Sequence, residues 1–343
     1  MTRTGWHQWL LRRWYGSGPI RLLIPFSWLF ILLSAMRRAC YRHGIFSTVH
    51  LPVPVIVVGN ITLGGTGKTP LVIWLSRALQ ARGYHPGIVT RGYGGKSTHW
   101  PLAVTAATAA SVAGDEAVLL ACATGLPVMA APDRVQAARQ LLRDKSVDVI
   151  VSDDGLQHYR LGRDLRILTL DGERGCGNGW RLPAGPLRES AAAIKQADIV
   201  VCKSRLPAGM DLPQHTPVMH MNMTEAVRLR DGLRVPLANF RGRSVHSIAG
   251  IGHPEQFFAS LVAKGIDIEP HALPDHAALT RGDLLFGDQR PVLMTEKDAV
   301  RCAGLDLPDH WYVPAHGEFS RAHAEGIMRV VEECLAGRSA AGA

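Results

Sequence analysis

The sequence predicts an α/β fold: a parallel sheet flanked by helices, a second and smaller α/β domain, and an N-terminal helix set apart from both. Two patterns point to the sheet. An apolar run at 55–58 leads into a glycine-rich loop at 59–68, a helix-period segment at 69–82 and a new strand near 87–90, an order that builds parallel sheets. The same alternation recurs to residue 313. The third observation is an uncharged stretch at 22–36, with Arg12, Arg13 and Arg21 before it and Arg37, Arg38 and Arg42 after it.

The N-terminal segment, 1–43, stands out by its charge. The chain of 343 residues has a net charge of +9, yet no Asp or Glu precedes Asp115, while the residues from Asp115 onward carry 26 basic and 29 acidic side chains. All the excess positive charge therefore lies in the first third. Fifteen uncharged residues make a helix of about 22 Å at ~1.5 Å per residue, less than the ~30 Å hydrocarbon core. Basic flanks and Trp6, Trp9, Trp14 and Trp28 fit a membrane-associated helix resting in one leaflet and drawn to anionic head groups. A buried core helix is the competing reading.

The next segment, 44–215, continues with helices at 115–124 and 134–144, strands at 127–130, 147–152, 166–170 and 199–202, and an irregular Gly/Pro-rich stretch at 172–186. Loops of that kind border functional sites. The proline-containing segment 207–217 marks a boundary. The domain 216–343 follows, with strands at 245–249, 291–295 and 311–313 and a helix at 255–264. Six scattered cysteines form no CxxC pair and no metal-ligand spacing, as expected of reduced thiols in a cytoplasmic protein.

Chemistry concentrates at Thr62-Leu63-Gly64-Gly65-Thr66-Gly67-Lys68-Thr69. A loop that wraps phosphates needs inward N–H groups and no obstructing Cβ atoms, which is why glycine recurs. Lys68 would bridge the β- and γ-phosphates of ATP, Thr69 would offer its hydroxyl to Mg²⁺, and the following helix adds its positive dipole end. The fold expected is thus P-loop NTPase-like, although Thr62 stands where the usual pattern has its first glycine. The strand ending in Asp153 and Asp154 reads as the acidic element that holds the Mg²⁺ shell. Gly155-Leu156-Gln157-His158 continues past the carboxyl end of that strand, where ligands of open α/β sheets bind.

Other functions fit less well. A MinD-like or ParA-like membrane ATPase carries a signature Lys where this chain has Leu63. A nucleic-acid-binding protein would spread its cations over a polar face, whereas residues 22–36 are uncharged; no nucleic-acid partner is expected.

Several motifs together resemble the tetraacyldisaccharide 4′-kinases, the lipid A kinases of Gram-negative bacteria. They are residues 59–70, Arg91-Gly92-Tyr93-Gly94, Gly114-Asp115-Glu116, Asp153-Asp154-Gly155-Leu156-Gln157-His158, residues 182–189 and residues 294–300. The resemblance runs from about residue 15 to 330. It implies transfer of the ATP γ-phosphate to the 4′-hydroxyl of an acylated glucosamine disaccharide phosphate, a lipid A precursor. The setting would be the cytoplasmic leaflet of the inner membrane, with the chain acting as a monomer. It places the catalytic acid–base group on Asp115, paired with His276 of Pro274-Asp275-His276. Taken alone, Asp115 could equally be a helix N-cap. Arg91, Tyr93, Arg134, Gln157, His158, Arg188 and Glu189 become candidates for substrate binding, although any of the arginines could be a solvated side chain. Glu116, Asp153 and Asp154 are candidate Mg²⁺ ligands, unranked. Lys297 and its acidic neighbours could line a cleft or cap a helix.

Overall fold

The computed structural model describes residues 3–16, 18–274 and 279–341. They form two compact units, both discontinuous in sequence. The first takes Met1–Arg91, Ala131–His220 and Gly317–Ala343, the second Gly92–Ala130 and Met221–His316. These units cut the chain at other points than the linear division 44–215 and 216–343. Residues 92–130 group with the second unit because the helix Asp115–Thr124 packs against Glu296–Arg301.

In the first unit the strands run, from one edge, His316–Glu318, Val218–Asn222, Ile199–Lys203, Leu165–Asp171, Val55–Asn60, Val149–Asp153 and Pro86–Thr90. Those from Val218–Asn222 to Pro86–Thr90 pair in parallel. Val55–Asn60 lies in the middle and every residue of it is buried, which is why it reads as a continuous apolar run and not an alternating one. The helix Lys68–Gln80 packs on this strand and its neighbours through Leu71, Val72, Leu75 and Leu79. The helix Arg134–Asp144 starts where the Asp133 side chain accepts from Val135 N–H at 3.0 Å, an N-cap that satisfies one orphan donor. Its buried face is Val135, Ala137, Ala138 and Leu141. The chain passes from Val149–Asp153 over the central strand to Leu165–Asp171, so the carboxyl ends of these strands meet at a topological switch point.

The N-terminal segment forms the helices Arg3–Trp14 and Ile24–Arg42, joined by the 3-10 turn Arg21–Leu23. The second helix continues through the arginines that flank the uncharged run. Arg21–Arg42 is long and apolar enough to cross a membrane by length and composition, with mean hydropathy 1.4 over an 18-residue stretch of it. Its amphipathicity is inverted relative to that of a soluble helix. Leu22, Phe26, Leu29, Leu33 and Met36 form an exposed apolar stripe, while the inward face carries Ser27 and Arg38. Ser27 donates to the carbonyl of Arg181 at 2.8 Å and Arg38 pairs with Glu189 at 2.6 Å. Trp14 and Tyr15 add bonds to Pro183 O and Leu63 O at 3.1 and 2.7 Å.

The second unit has a sheet ordered Arg234–Pro236, Glu225–Arg228, His310–Val313, Val292–Thr295, Ser244–Ala249 and Asp267–Ala272. The last four are mutually parallel and Glu225–Arg228 is antiparallel to both its neighbours. Alternation sorts the central strands between two cores. Val245, Ala249 and Leu293 pack with Phe240, Phe257 and Trp311 on one face, and Ile248, Val292 and Met294 pack with Leu284 and Leu307 on the other. A short antiparallel pair, Leu102–Val104 with Val128–Ala130, belongs to the same unit.

Candidate functional site

The glycine-rich loop leaves the central strand at Asn60, which is fully buried. Its amide donates to Thr62 O at 2.7 Å and its backbone carbonyl accepts from Gln157 at 3.1 Å. Thr66 is pinned by its hydroxyl to that of Thr169 at 2.8 Å, and Leu63 N–H bonds Pro186 O at 2.9 Å. Gly64 and Gly67 hold φ of 113° and 87°, conformations that an L side chain resists. At Gly67 a Cβ would also stand 2.7 Å from Met219 Cε. The helix begins at Lys68, one residue earlier than expected, with Gly67 as a cap that offers no side chain. Its first amides are thus not taken up by a capping side chain, and Gly64 and Gly65 are exposed beside them. A helix start of this kind attracts anions.

Two cations converge on the end of the neighbouring strand. Asp154, held at φ 48°, accepts from Arg188 through both carboxylate oxygens at 2.8 and 3.1 Å, and Lys68 Nζ lies 3.4 Å from Oδ1. Lys68 and Arg188 both also reach Asn60 Oδ1, the former at 3.3 Å. Burial alone would raise the Asp154 pKa, but Lys68 and Arg188 outweigh it and hold the carboxyl well below the usual carboxylate range. Asp153 is buried and accepts from Thr90 at 3.3 Å. Thr69, in the first helical turn, is half-buried.

Arg134 is buried, and its guanidinium bonds Pro132 O at 3.2 Å and Asp154 O at 3.4 Å. Its backbone N–H donates to His158 Nε2 at 3.4 Å, so that nitrogen carries the lone pair. Burial, then the Arg134 charge, push His158 down to about 4 despite Asp133 nearby. Glu189 turns to the N-terminal segment, accepting from Arg38 at 2.6 Å and Tyr159 at 2.5 Å. Burial, then Glu189, raise the Tyr159 phenol to about 12. Arg91 is exposed at the end of the first stretch of this unit.

The second unit holds the remaining candidates. Asp115 and Glu116 open the helix Asp115–Thr124, but the N-cap position belongs to Gly114, so Asp115 is not a cap. Asp115 is buried, with Arg301 Nε 3.7 Å from its Oδ2. Arg301 also pairs with Asp298 and bonds Gly250 O at 2.8 Å. Asp298 is fully buried and accepts from Gly250 N–H at 3.0 and 3.1 Å and from the Thr295 hydroxyl. Burial raises its pKa against the pull of Arg301. Lys297 Nζ lies 3.9 Å from Glu116 Oε1. Tyr93 is an exposed residue of this unit. Asp275 and His276 lie outside the described residues.

Of the residues singled out from sequence, then, Lys68, Asp153, Asp154, Arg134, Gln157, His158 and Arg188 gather around the glycine-rich loop, and Asp115 and Glu116 sit in the second unit. Sequence reading missed Asn60, which joins loop, Lys68 and Arg188, although it ends the strand just before the loop. It also missed Arg301, which follows directly on residues 294–300, where Asp298 was weighed only as an acidic neighbour of Lys297.

Known proteins resemble this chain over nearly its whole length. The family model described as tetraacyldisaccharide-1-P 4′-kinase matches residues 20–332. A tetraacyldisaccharide 4′-kinase of Nitrosococcus oceani is 48% identical over 94% of this chain and 94% of its own length. One from Aeromonas salmonicida is 43% identical over 97% and 99%. Among solved structures the chain is similar to the "apo" form of LpxK from Aquifex aeolicus in complex with ATP, with TM-score 0.77 and 29% identity over 92% of this chain and 99% of that one. A match that spans nearly the whole chain, with relatives aligned end to end, shows that the chain belongs to the tetraacyldisaccharide-1-P 4′-kinase family.

Proposed function

We propose that this protein is an ATP-dependent kinase that phosphorylates the 4′-hydroxyl of a tetraacylated glucosamine disaccharide 1-phosphate, in lipid A biosynthesis. The observation that carries the reading is the convergence of Lys68, Asn60, Asp154 and Arg188 at the start of an uncapped helix, behind a loop held open by Gly64 and Gly67. The loop amides and Lys68 bind the triphosphate and stabilise charge on the transferring phosphoryl group. Asp115 takes the proton of the 4′-hydroxyl as its oxygen bonds phosphorus, and ADP leaves with the electrons of the broken bond. His276 is the proposed partner of Asp115.

The oxygens of Thr69, Asp153 and Asp154 suit a hard divalent ion, and Glu116 is a further candidate. Mg²⁺ bound there would supply charge neutralisation at the phosphates. Arg91, Tyr93, Arg134, Gln157, His158 and Arg188 are proposed to position the two anionic substrates. Glu189 is proposed to act beside them, with its carboxylate held by Arg38 and Tyr159. The exposed stripe of Ile24–Arg42 supports association with a membrane; the cytoplasmic leaflet of the inner membrane is the proposed location, and the working unit is proposed to be one chain.

The test is to incubate purified protein with γ-labelled ATP, Mg²⁺ and the disaccharide acceptor in mixed micelles. Label is expected on the lipid; label appearing solely as inorganic phosphate would count against the assignment.

A further inference from the structure

The sheet of the second unit carries a cluster that the kinase reading does not use. His246, buried on the strand Ser244–Ala249, pairs in parallel register with Glu269, and Ile248 two residues on pairs with His271. Parallel partners, and residues two apart on a strand, share a face. His246, Glu269 and His271 therefore project from one side of a rigid two-strand platform. His246 Nδ1 lies 3.0 Å from His271 Nε2, and the Glu269 carboxylate lies 3.8 Å from each ring nitrogen. Ligand atoms bound at ~2.0–2.1 Å around a tetrahedral ion stand about 3.3–3.4 Å apart. The two ring nitrogens stand slightly closer than that, and each stands slightly farther from one carboxylate oxygen, Oε2 for His246 and Oε1 for His271.

The surroundings match what a metal-binding imidazole needs. Both oxygens of Asp288 lie 3.2 Å from His246 Nε2. An ionised carboxylate only accepts, so it fixes the proton on Nε2 and leaves the Nδ1 lone pair facing the cluster. Asp288 is pushed down to about 2 by the backbone N–H and then the guanidinium of Arg290. The same guanidinium bonds Glu269 at 2.7 Å and lowers its pKa. Two carboxylates against one guanidinium leave one net negative charge beside two imidazoles. Phe286 stacks on both rings, its centroid 4.0 Å from that of His246 and 4.2 Å from that of His271, giving an apolar cover on one side.

We propose that His246, His271 and Glu269 bind one divalent transition-metal ion of the Zn²⁺ type, with Asp288 orienting His246. Without the ion, His271 Nε2–H donates to His246 Nδ1. Binding shifts that proton to His271 Nδ1 by tautomerisation, and no net proton need leave. The ion ties the edge strand Asp267–Ala272 to Ser244–Ala249 and so stabilises the second unit.

The test uses the full chain after chelator treatment, titrated with Zn²⁺ by calorimetry and with Co²⁺ by visible absorption. Expected are one ion per chain at this site, an intense four-coordinate Co²⁺ spectrum, and a Tm that rises with metal concentration. Glu269→Gln and His271→Gln, at partly exposed positions, should abolish that event while keeping the metal-free Tm close to the parent value. Asp288→Asn should weaken it by about 10- to 100-fold, and Lys68→Ala should leave it unchanged. Absence of binding in the parent protein, or binding that survives Glu269→Gln with His271→Gln, would overturn the proposal.

Discussion

Arg188 grips Asp154 with both terminal nitrogens of its guanidinium, at 2.8 and 3.1 Å, and the fork also reaches Asn60. Lysine keeps the charge but has no fork. Arg188→Lys is therefore expected to lower kcat/KM by about 10²-fold, the scale of a misplaced catalytic group. Steady-state kinetics with the lipid acceptor check this, and parent-like rates would mean that the fork is not used.

Lys68 stands 3.4 Å from Asp154 and 3.3 Å from Asn60, drawn to the end of the strand that precedes its loop. Lys68→Ala should cost on the order of 10²–10³ in kcat, the usual loss when a preorganised charge partner of the transition state is removed. Thermal unfolding should be little changed. A variant with near-normal turnover would remove the loop from the chemistry.

His158 sits near 4, below its ordinary value of 6.5. An imidazole of this kind binds its proton more readily in the unfolded chain, so protonation favours unfolding. Its contribution to stability is present above pH ~6.5 and is lost as pH falls from there to about 4. Tm measured across this window should fall for the parent and fall less for His158→Gln. Equal slopes for the two would show that another group titrates.

Arg301 is the cation bonded to Asp298, a carboxylate with no exposure. Arg301→Met strands that charge, and the loss should be about 3–5 kcal/mol, as for other broken buried pairs. Adding Asp298→Asn should recover part of it, since the uncompensated charge goes. Urea midpoints of the two variants provide the comparison.

Leu29 and Leu33 lie in the exposed stripe of Ile24–Arg42. Leu29→Asp with Leu33→Asp should abolish co-sedimentation with anionic vesicles and leave Tm near the parent value, because neither side chain packs on the sheet. Retained sedimentation would place attachment elsewhere.

Much of this architecture was legible because the signals were local. The helices read at 134–144 and 115–124 have those bounds in the structure, where Asp133 caps the first and Gly125 ends the second. The loop from Thr62 to Thr69 and the acidic end at Asp153 were equally plain. Short strands such as Leu102–Val104, Glu225–Arg228 and His316–Glu318 escaped because three or four residues cannot establish a period. The helix Arg321–Ala341 was not read, since Gly326 and Gly337 interrupt its pattern. Pairing of Asp115 with Arg301 depends on packing between segments far apart in the chain, and no spacing in either segment announces it.

Glu189 accepts one bond from the apolar-striped helix, through Arg38, and one from Tyr159, and it is covalently next to Arg188. A tilt or rotation of that helix against the sheet therefore pulls on a carboxylate one peptide away from the guanidinium that holds Asp154. Tyr15 adds a direct tie from the N-terminal segment to Leu63 O of the phosphate loop, so a detergent or lipid that reorients the helix is expected to change turnover even when both substrates are dissolved.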